Sequence, residues 1–229
     1  MKQIITAFFL FYLLSVSVYS QNKNKLLGAW KNQESIITIV DGFYSYAEFD
    51  KASKTFAGTS GGQWEIENKQ IVQLVEFNTF SPEKVGTTLK KNFSLNGKNL
   101  VLGDKTFTRI DNNKPGALAG AWLITGRKRG EEIGEIKEGP RKTMKILSGT
   151  RFQWIAYNTA TKQFMGTGGG TYTSEKGKYI ENIDFFSRDN TRVGASLDFK
   201  FELKDGDWHH SGKSSKGDPI YEIWRLRKK

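Results

Sequence analysis

Short runs in which apolar and polar positions alternate recur along the whole chain; "RFQWIAYN", "KYIENIDFF", "SLDFKFELK" and "IYEIWRLRK" are four of them. A period of two puts every second side chain on one face, so each run predicts a half-buried strand. The runs are rich in aromatic and β-branched residues and are punctuated by Gly, Asn, Asp and Lys, and no segment keeps a helical apolar period for three turns.

The pattern also repeats. "FDKASKTFAGTSGGQW" from Phe49 aligns without a gap on "YNTATKQFMGTGGGTY" from Tyr157, and the same offset pairs Val75 with Ile183, Phe77 with Phe185, Leu89 with Leu197 and Phe93 with Phe201. Upstream, "LLGAW" at Leu26 matches "LAGAW" at Leu118, so the second copy carries an added segment between Trp122 and Arg151, and another near "HHSGKSSKGDP". A repeat of this length sets the domain count. The joint is "DNNKPG", Asp111–Gly116, whose Pro and Gly interrupt regular structure. The chain therefore divides into a leader over 1–20, a first unit over 21–111, a linker over 112–117 and a second unit over 118–229.

About eight strands fit each unit at ordinary strand and loop lengths. Closing so small a sheet on itself buries a core and removes exposed edges, so the predicted class is all-β, two tandem small antiparallel barrels. The glycines of "GTSGG" and "GTGGG" then mark bulges or sharp corners of barrel strands. A phosphate-cradling loop would have to open a helix, and strands follow here.

The leader "MKQIITAFFLFYLLSVSVYSQ" has a basic start, an apolar stretch from Ile4 to Val18 and small residues before Gln21, which reads as a secretory signal peptide cleaved after Ser20. The expected location is secreted or periplasmic, with no transmembrane segment after cleavage, because no later stretch approaches the roughly 20 apolar residues of a span. The chain has no cysteine. Thiol catalysis, thiolate metal sites and disulfides are excluded, and stability must come from core burial.

Gly28-Ala29-Trp30 and Gly120-Ala121-Trp122, with the terminal strands "TFTRI" and "EIWRLR", resemble the Gly-x-Trp opening and basic closing strand of the lipocalin superfamily. The second unit is especially similar to lipocalin-like domains of secreted bacterial proteins of unassigned function, through "RFQW", "GGGTY", "KYIE" and "WHHSG" in order. The resemblance covers nearly all of the chain after the leader. It implies that Trp30 and Trp122 plug the closed barrel ends, each covered by an arginine in a cation–π contact. Arg109 is the partner implied for Trp30, and Arg225 or Arg227 for Trp122.

Strand parity supplies the candidate site. Ile71, Gln73, Val75 and Phe77 correspond to Tyr179, Glu181, Ile183 and Phe185; this is the more apolar face, and Glu76 and Asp184 lie on the other, so the first face should point inward. Glu181 is then an inward carboxylate. It must be paired with an inward Lys or Arg or contact a ligand, since an isolated buried charge is too costly. His209 and His210 are adjacent and diverge across a strand, so one of them enters the barrel; neither belongs to a three-ligand metal pattern, and no metal or other cofactor is implied.

The net charge of +11 is uneven, with 12 Lys and Arg against 10 Asp and Glu over 21–111, and 22 against 14 over 112–229. Much of the excess sits in the added segment "GRKRGEEIGEIKEGPRKTMK", with Arg188, Arg192 and the C-terminal "RLRKK". Such a run is either a solvated loop or a surface for anionic material; nucleic acid is not expected, because the aromatics alternate as core residues. The preferred function is non-catalytic binding, in the second barrel, of a small apolar or amphipathic anion or a glycan through Trp154, Tyr179 and Glu181, with Arg192, His209 and His210 near the mouth. The alternative is an envelope or extracellular enzyme using Glu181 with a histidine as acid and base on a carbohydrate-type substrate. In a third reading both barrels are filled and the protein acts through its surface. The sequence leaves the oligomeric state open.

Overall fold

The computed structural model describes residues 23–33, 35–111, 114–214 and 216–229. The leader expected over 1–20 lies outside them. Eight strands, β1 (Gly28–Asn32), β2 (Ser35–Val40), β3 (Phe43–Asp50), β4 (Thr55–Glu67), β5 (Gln70–Asn78), β6 (Thr88–Asn96), β7 (Asn99–Leu102) and β8 (Lys105–Arg109), form one antiparallel barrel closed by β8 pairing with β1. A second barrel follows with β9 (Gly120–Arg129), β11 (Arg141–Leu147), β12 (Arg151–Asn158), β13 (Gln163–Glu175), β14 (Lys178–Phe186), β15 (Ser196–Lys204), β16 (Asp207–Lys213) and β17 (Pro219–Leu226), closed by β17 on β9. The added strand β10 (Glu132–Glu135) pairs with the far end of β9, from Gly126 to Arg129, beyond the stretch that pairs with β11. No helix among the described residues is long and apolar enough to cross a membrane.

Each barrel is closed at its Gly-x-Trp end by the same device. Trp30 and Trp122 are buried, and their indole nitrogens donate to the carbonyls of Leu26 and Leu118, both at 2.9 Å. The Arg109 guanidinium lies 3.9 Å from the Trp30 ring centre and donates to the Leu27 carbonyl, so this plug has its cation–π cover. Gly28 sits at φ +131°, and a Cβ there would collide with Arg109, which is why glycine opens the motif. The second plug differs. Leu226 stands where Arg109 does, opposite the tryptophan; Arg225 points outward into a two-bonded pair with Asp207, and Arg227 leaves for the first barrel. Trp122 instead meets Trp208 edge-on at 5.8 Å.

The inward parity expected along β5 and β14 holds as far as Val75 and Ile183 and then breaks. Gly61 opposes Phe77 while Gly62 opposes Val75, and Gly169 opposes Phe185 while Gly170 opposes Ile183, so Glu76 and Asp184 are the extra residues of two equivalent bulges. The bulge shifts the next side chain to the other face. Phe77 and Phe185, expected inside, therefore lie outside, against the neighbouring barrel. The glycine runs fit this geometry: a Cβ on Gly61 or Gly169 would strike the Phe77 or Phe185 ring, and one on Gly62 or Gly170 would strike the bulged backbone.

The barrels meet through these outer faces with an approximate two-fold relation. Phe77 packs on Tyr157 at 5.0 Å and Phe185 on Phe49 at 4.5 Å; since Phe77 matches Phe185 in the repeat and Phe49 matches Tyr157, each contact is the image of the other. Phe56 and Phe164, themselves a matched pair, stack on one another at 6.4 Å, as residues on the axis of an isologous interface do. Both bulge carboxylates receive a cation from the opposite barrel. Arg227 grips Glu76 through two hydrogen bonds of 2.7 and 2.8 Å, reinforced by the Tyr157 hydroxyl at 2.6 Å, while Lys51 meets Asp184 at 2.5 Å. Arg227 also lies 4.3 Å over the Phe43 ring.

Candidate functional site

The interior of the second barrel holds a charged array that the first lacks. On β11, Met144 and Ile146 face the inter-barrel core, so alternation turns Lys145 between them into the barrel. Its ammonium bonds Glu181 of β14 at 2.8 Å, and the Tyr179 hydroxyl donates to the same oxygen at 2.9 Å. The rings of Tyr179, Trp208, Trp224 and Phe199 surround the ammonium, with centres between 5.0 and 5.7 Å away. Lys145 and Glu181 are 5% and 4% exposed, so the pair is dry and neither charge is stable there without the other.

A second carboxylate lies beside it. Glu222 of β17 accepts from the Trp224 indole at 3.1 Å and from Arg127, on the outer half of β9, at 2.5 Å. Burial alone would raise its pKa, but His210, Lys145 and Arg127 outweigh burial and hold it at about 2. His210 of β16 faces inward and is 1% exposed. Burial, then Lys145, depresses its pKa below 6.5 against the opposing pull of Glu222 and Glu181, so the ring is neutral. Burial and Glu181 keep the Tyr179 hydroxyl protonated. Each buried carboxylate holds a cation: Lys145 pairs with Glu181 inside the barrel, and half-exposed Arg127 reaches Glu222 from outside.

Two groups in this array have unmet hydrogen-bonding capacity. Nε2 of His210 and the indole nitrogen of Trp208 are buried without a hydrogen-bond partner, while Nδ1 of His210 faces Glu222 at 3.4 Å, too long for a strong bond. Leaving buried polar atoms unpaired carries a cost that natural cores rarely tolerate without reason. Toward the end of the barrel away from Trp122, the wall continues in half-buried Trp154, Phe186, Leu197 and Ile220.

Of the residues expected at a site, Tyr179, Glu181 and His210 come together here, and Trp154 lines the apolar wall above them. His209 turns outward to the Tyr221 hydroxyl at 2.7 Å. Arg192 belongs to the 3₁₀ turn Asn190–Arg192 between β14 and β15, where it pairs with Asp189. Glu181 is the buried ion-pair partner of a lysine, and its Oε1 is engaged by both Lys145 and Tyr179. Lys145, Glu222, Arg127 and Trp208 were not among the expected residues.

One comparison falls on this barrel. Residues 117–228 match the family model described as a domain of unknown function, DUF4488. The DUF4488 match spans every strand from β9 to β17 and thus the whole charged interior, and leaves the first barrel outside. No curated protein matches the chain. A cleft of about 940 Å³ lies elsewhere, between the barrels over Gly28, Trp64, Gly120 and Leu147, and its flanking charges include matched pairs of Lys23 with Asp41 and Lys229 with Glu65.

Proposed function

We propose that this is an exported, non-catalytic binding protein whose second barrel takes a small amphipathic molecule into its interior, with the first barrel as its structural partner. Export rests on the leader sequence. The observation that carries the binding reading is the contrast between matched positions of the two barrels. Where the first has Ile37, Ile71, Gln73, Leu100 and Leu102, the second has Lys145, Tyr179, Glu181, Trp208 and His210. The first barrel fills these positions with four aliphatic residues and one amide, which supports reading the polar set of the second as not needed for folding. A buried charged network in a core that can do without it is a functional-site candidate.

The apolar body of the ligand would lie among Trp154, Phe186, Leu197 and Ile220, and its polar end would engage Nε2 of His210 and the Trp208 indole. Because Lys145 and both buried carboxylates are already paired, an uncharged polar end such as a hydroxyl suits this site better than the anion expected from composition. The test uses the uncharged probe N-phenyl-1-naphthylamine with the full chain, read by energy transfer from tryptophan. Wild type should bind saturably near one to one. His210→Leu, which installs the first-barrel residue, should weaken binding about tenfold or more, the size of one lost buried hydrogen bond, without lowering the thermal midpoint. Unchanged affinity in both His210→Leu and Trp208→Phe would sink the proposal.

A further inference from the structure

The segment added to the second barrel builds a feature on the outside that the interior does not use. Where β9 exchanges its partner from β11 to β10, the connecting loop bows away, pinned by the Ile136 amide donating to the Thr125 carbonyl at 2.8 Å. A groove of about 530 Å³ opens between this loop, the start of β11 and the C-terminal tail after β17. Its basic lining falls into two sets. Arg127, Lys142, Arg225 and Arg227 are committed to Glu222, Glu138, Asp207 and Glu76. Arg129, Lys137, Arg141 and Lys228 are exposed cations that pair with no acid among the described residues. Among them stand two apolar side chains: Ile136 and Leu226, 36% and 39% exposed, are two of the large hydrophobic residues that this fold leaves in solvent.

From this juxtaposition we infer that the groove is a binding site for a phosphate-type oxyanion carried on an apolar chain. Two guanidinium forks and two ammonium groups around one concavity supply multiple charge-assisted donors for an oxyanion, and arginine in particular matches phosphate geometry in two-bonded fashion. The groove's eight cations outnumber its two carboxylates, Glu135 and Glu138, and a bound anion relieves the repulsion among the four that pair with no acid among the described residues. The aliphatic stem of the ligand covers Ile136 and Leu226. The first barrel has no counterpart of this loop, so the site belongs to the second barrel, apart from its interior.

The same chemistry is offered by a free amphiphile and by a lipid headgroup, and the experiment separates them. The full chain is titrated calorimetrically with hexyl phosphate, and its sedimentation is followed with phosphatidylcholine vesicles with and without one-fifth phosphatidylglycerol. Wild type should bind saturably in at least one arm; hexyl phosphate alone identifies a free ligand, and the acidic vesicles alone identify a headgroup. Arg129→Gln with Arg141→Gln should weaken that binding at least tenfold, whereas removing the same charge elsewhere, Lys84→Gln with Lys98→Gln, should leave it within twofold. Equal losses in the two double variants would reduce the effect to general charge attraction and overturn the inference, as would no saturable binding in either arm. Because the groove lies outside the barrel, His210→Leu should leave this binding intact even where it abolishes the interior site.

Discussion

Lys145 and Glu181 form the pair on which the interior of the second barrel turns, and the repeat itself suggests how to dissect it. Glu181→Gln strands the ammonium among four aromatic rings and should cost about 3–5 kcal/mol in a denaturant melt, the usual result of breaking a buried pair from one side. Adding Lys145→Ile, which completes the first-barrel pair of Ile37 and Gln73, should restore most of that loss, since replacing both charges is often close to neutral. If the double variant is as unstable as the single one, the pair is not the reason for the loss. Acidification tests the neighbours. His210 has a depressed pKa, so the unfolded chain takes up that proton more readily, and stability should decline as the pH falls below about 6.5. Glu222, held at about 2, contributes stability that is present above about 4.5 and lost between there and 2. The thermal midpoint should therefore drop in two stages, and His210→Leu should abolish the first. Glu181 was legible in the sequence as an inward acid because its strand alternates cleanly as far as Ile183. Lys145 was legible too, in principle, since extending the same repeat offset upstream sets it on Ile37, but a single lysine in "TMKILS" gives no sign of direction until the strand is aligned.

At the level of strands, the eight-strand units and the bulged glycine runs follow from alternation and repetition, and the structure has them. What alternation could not show was the far side of a bulge. An inserted residue resets the parity of everything after it, so Phe77 and Phe185 read as core residues of their own barrels and are in fact the outer contacts between barrels. The same limit applies to Arg225, which shares its face with Arg227 by alternation but stands beside the register position that faces Trp122. If the bulge depends on close backbone approach, Gly170→Ala, whose Cβ would strike the Asn182 carbonyl, should cost about 1–3 kcal/mol, whereas the same change at solvent-facing Gly134 should cost much less. Equal costs at the two sites, measured by urea unfolding, would contradict this account of the glycine runs.

For the whole molecule, the approximate two-fold interface makes each barrel the partner that the other needs. Met144, Ile146, Ile155 and Tyr157 are fully covered across it, and an isolated second barrel would expose them. Proteolytic cleavage of a site engineered into the linker at 112–117 should therefore leave the halves associated in gel filtration, and Glu76→Gln, which strands Arg227, should cost about 3–5 kcal/mol. Within that frame the proposed function is a division of labour, in which one barrel is filled for stability and the other keeps unmet polar groups inside for a ligand. The chain has six tryptophans, and their indole N–H groups report directly on it. Those of Trp30, Trp64, Trp122 and Trp224 are hydrogen-bonded within the protein, and that of Trp208 is not. In a ¹⁵N-labelled sample titrated with N-phenyl-1-naphthylamine, the Trp208 resonance should move farthest, with Trp154 and Trp224 following and Trp30 and Trp64 fixed. Shifts confined to Trp30 and Trp64, or a Trp208 signal that stays still while the probe binds, would contradict the assignment of the second barrel as the binding site.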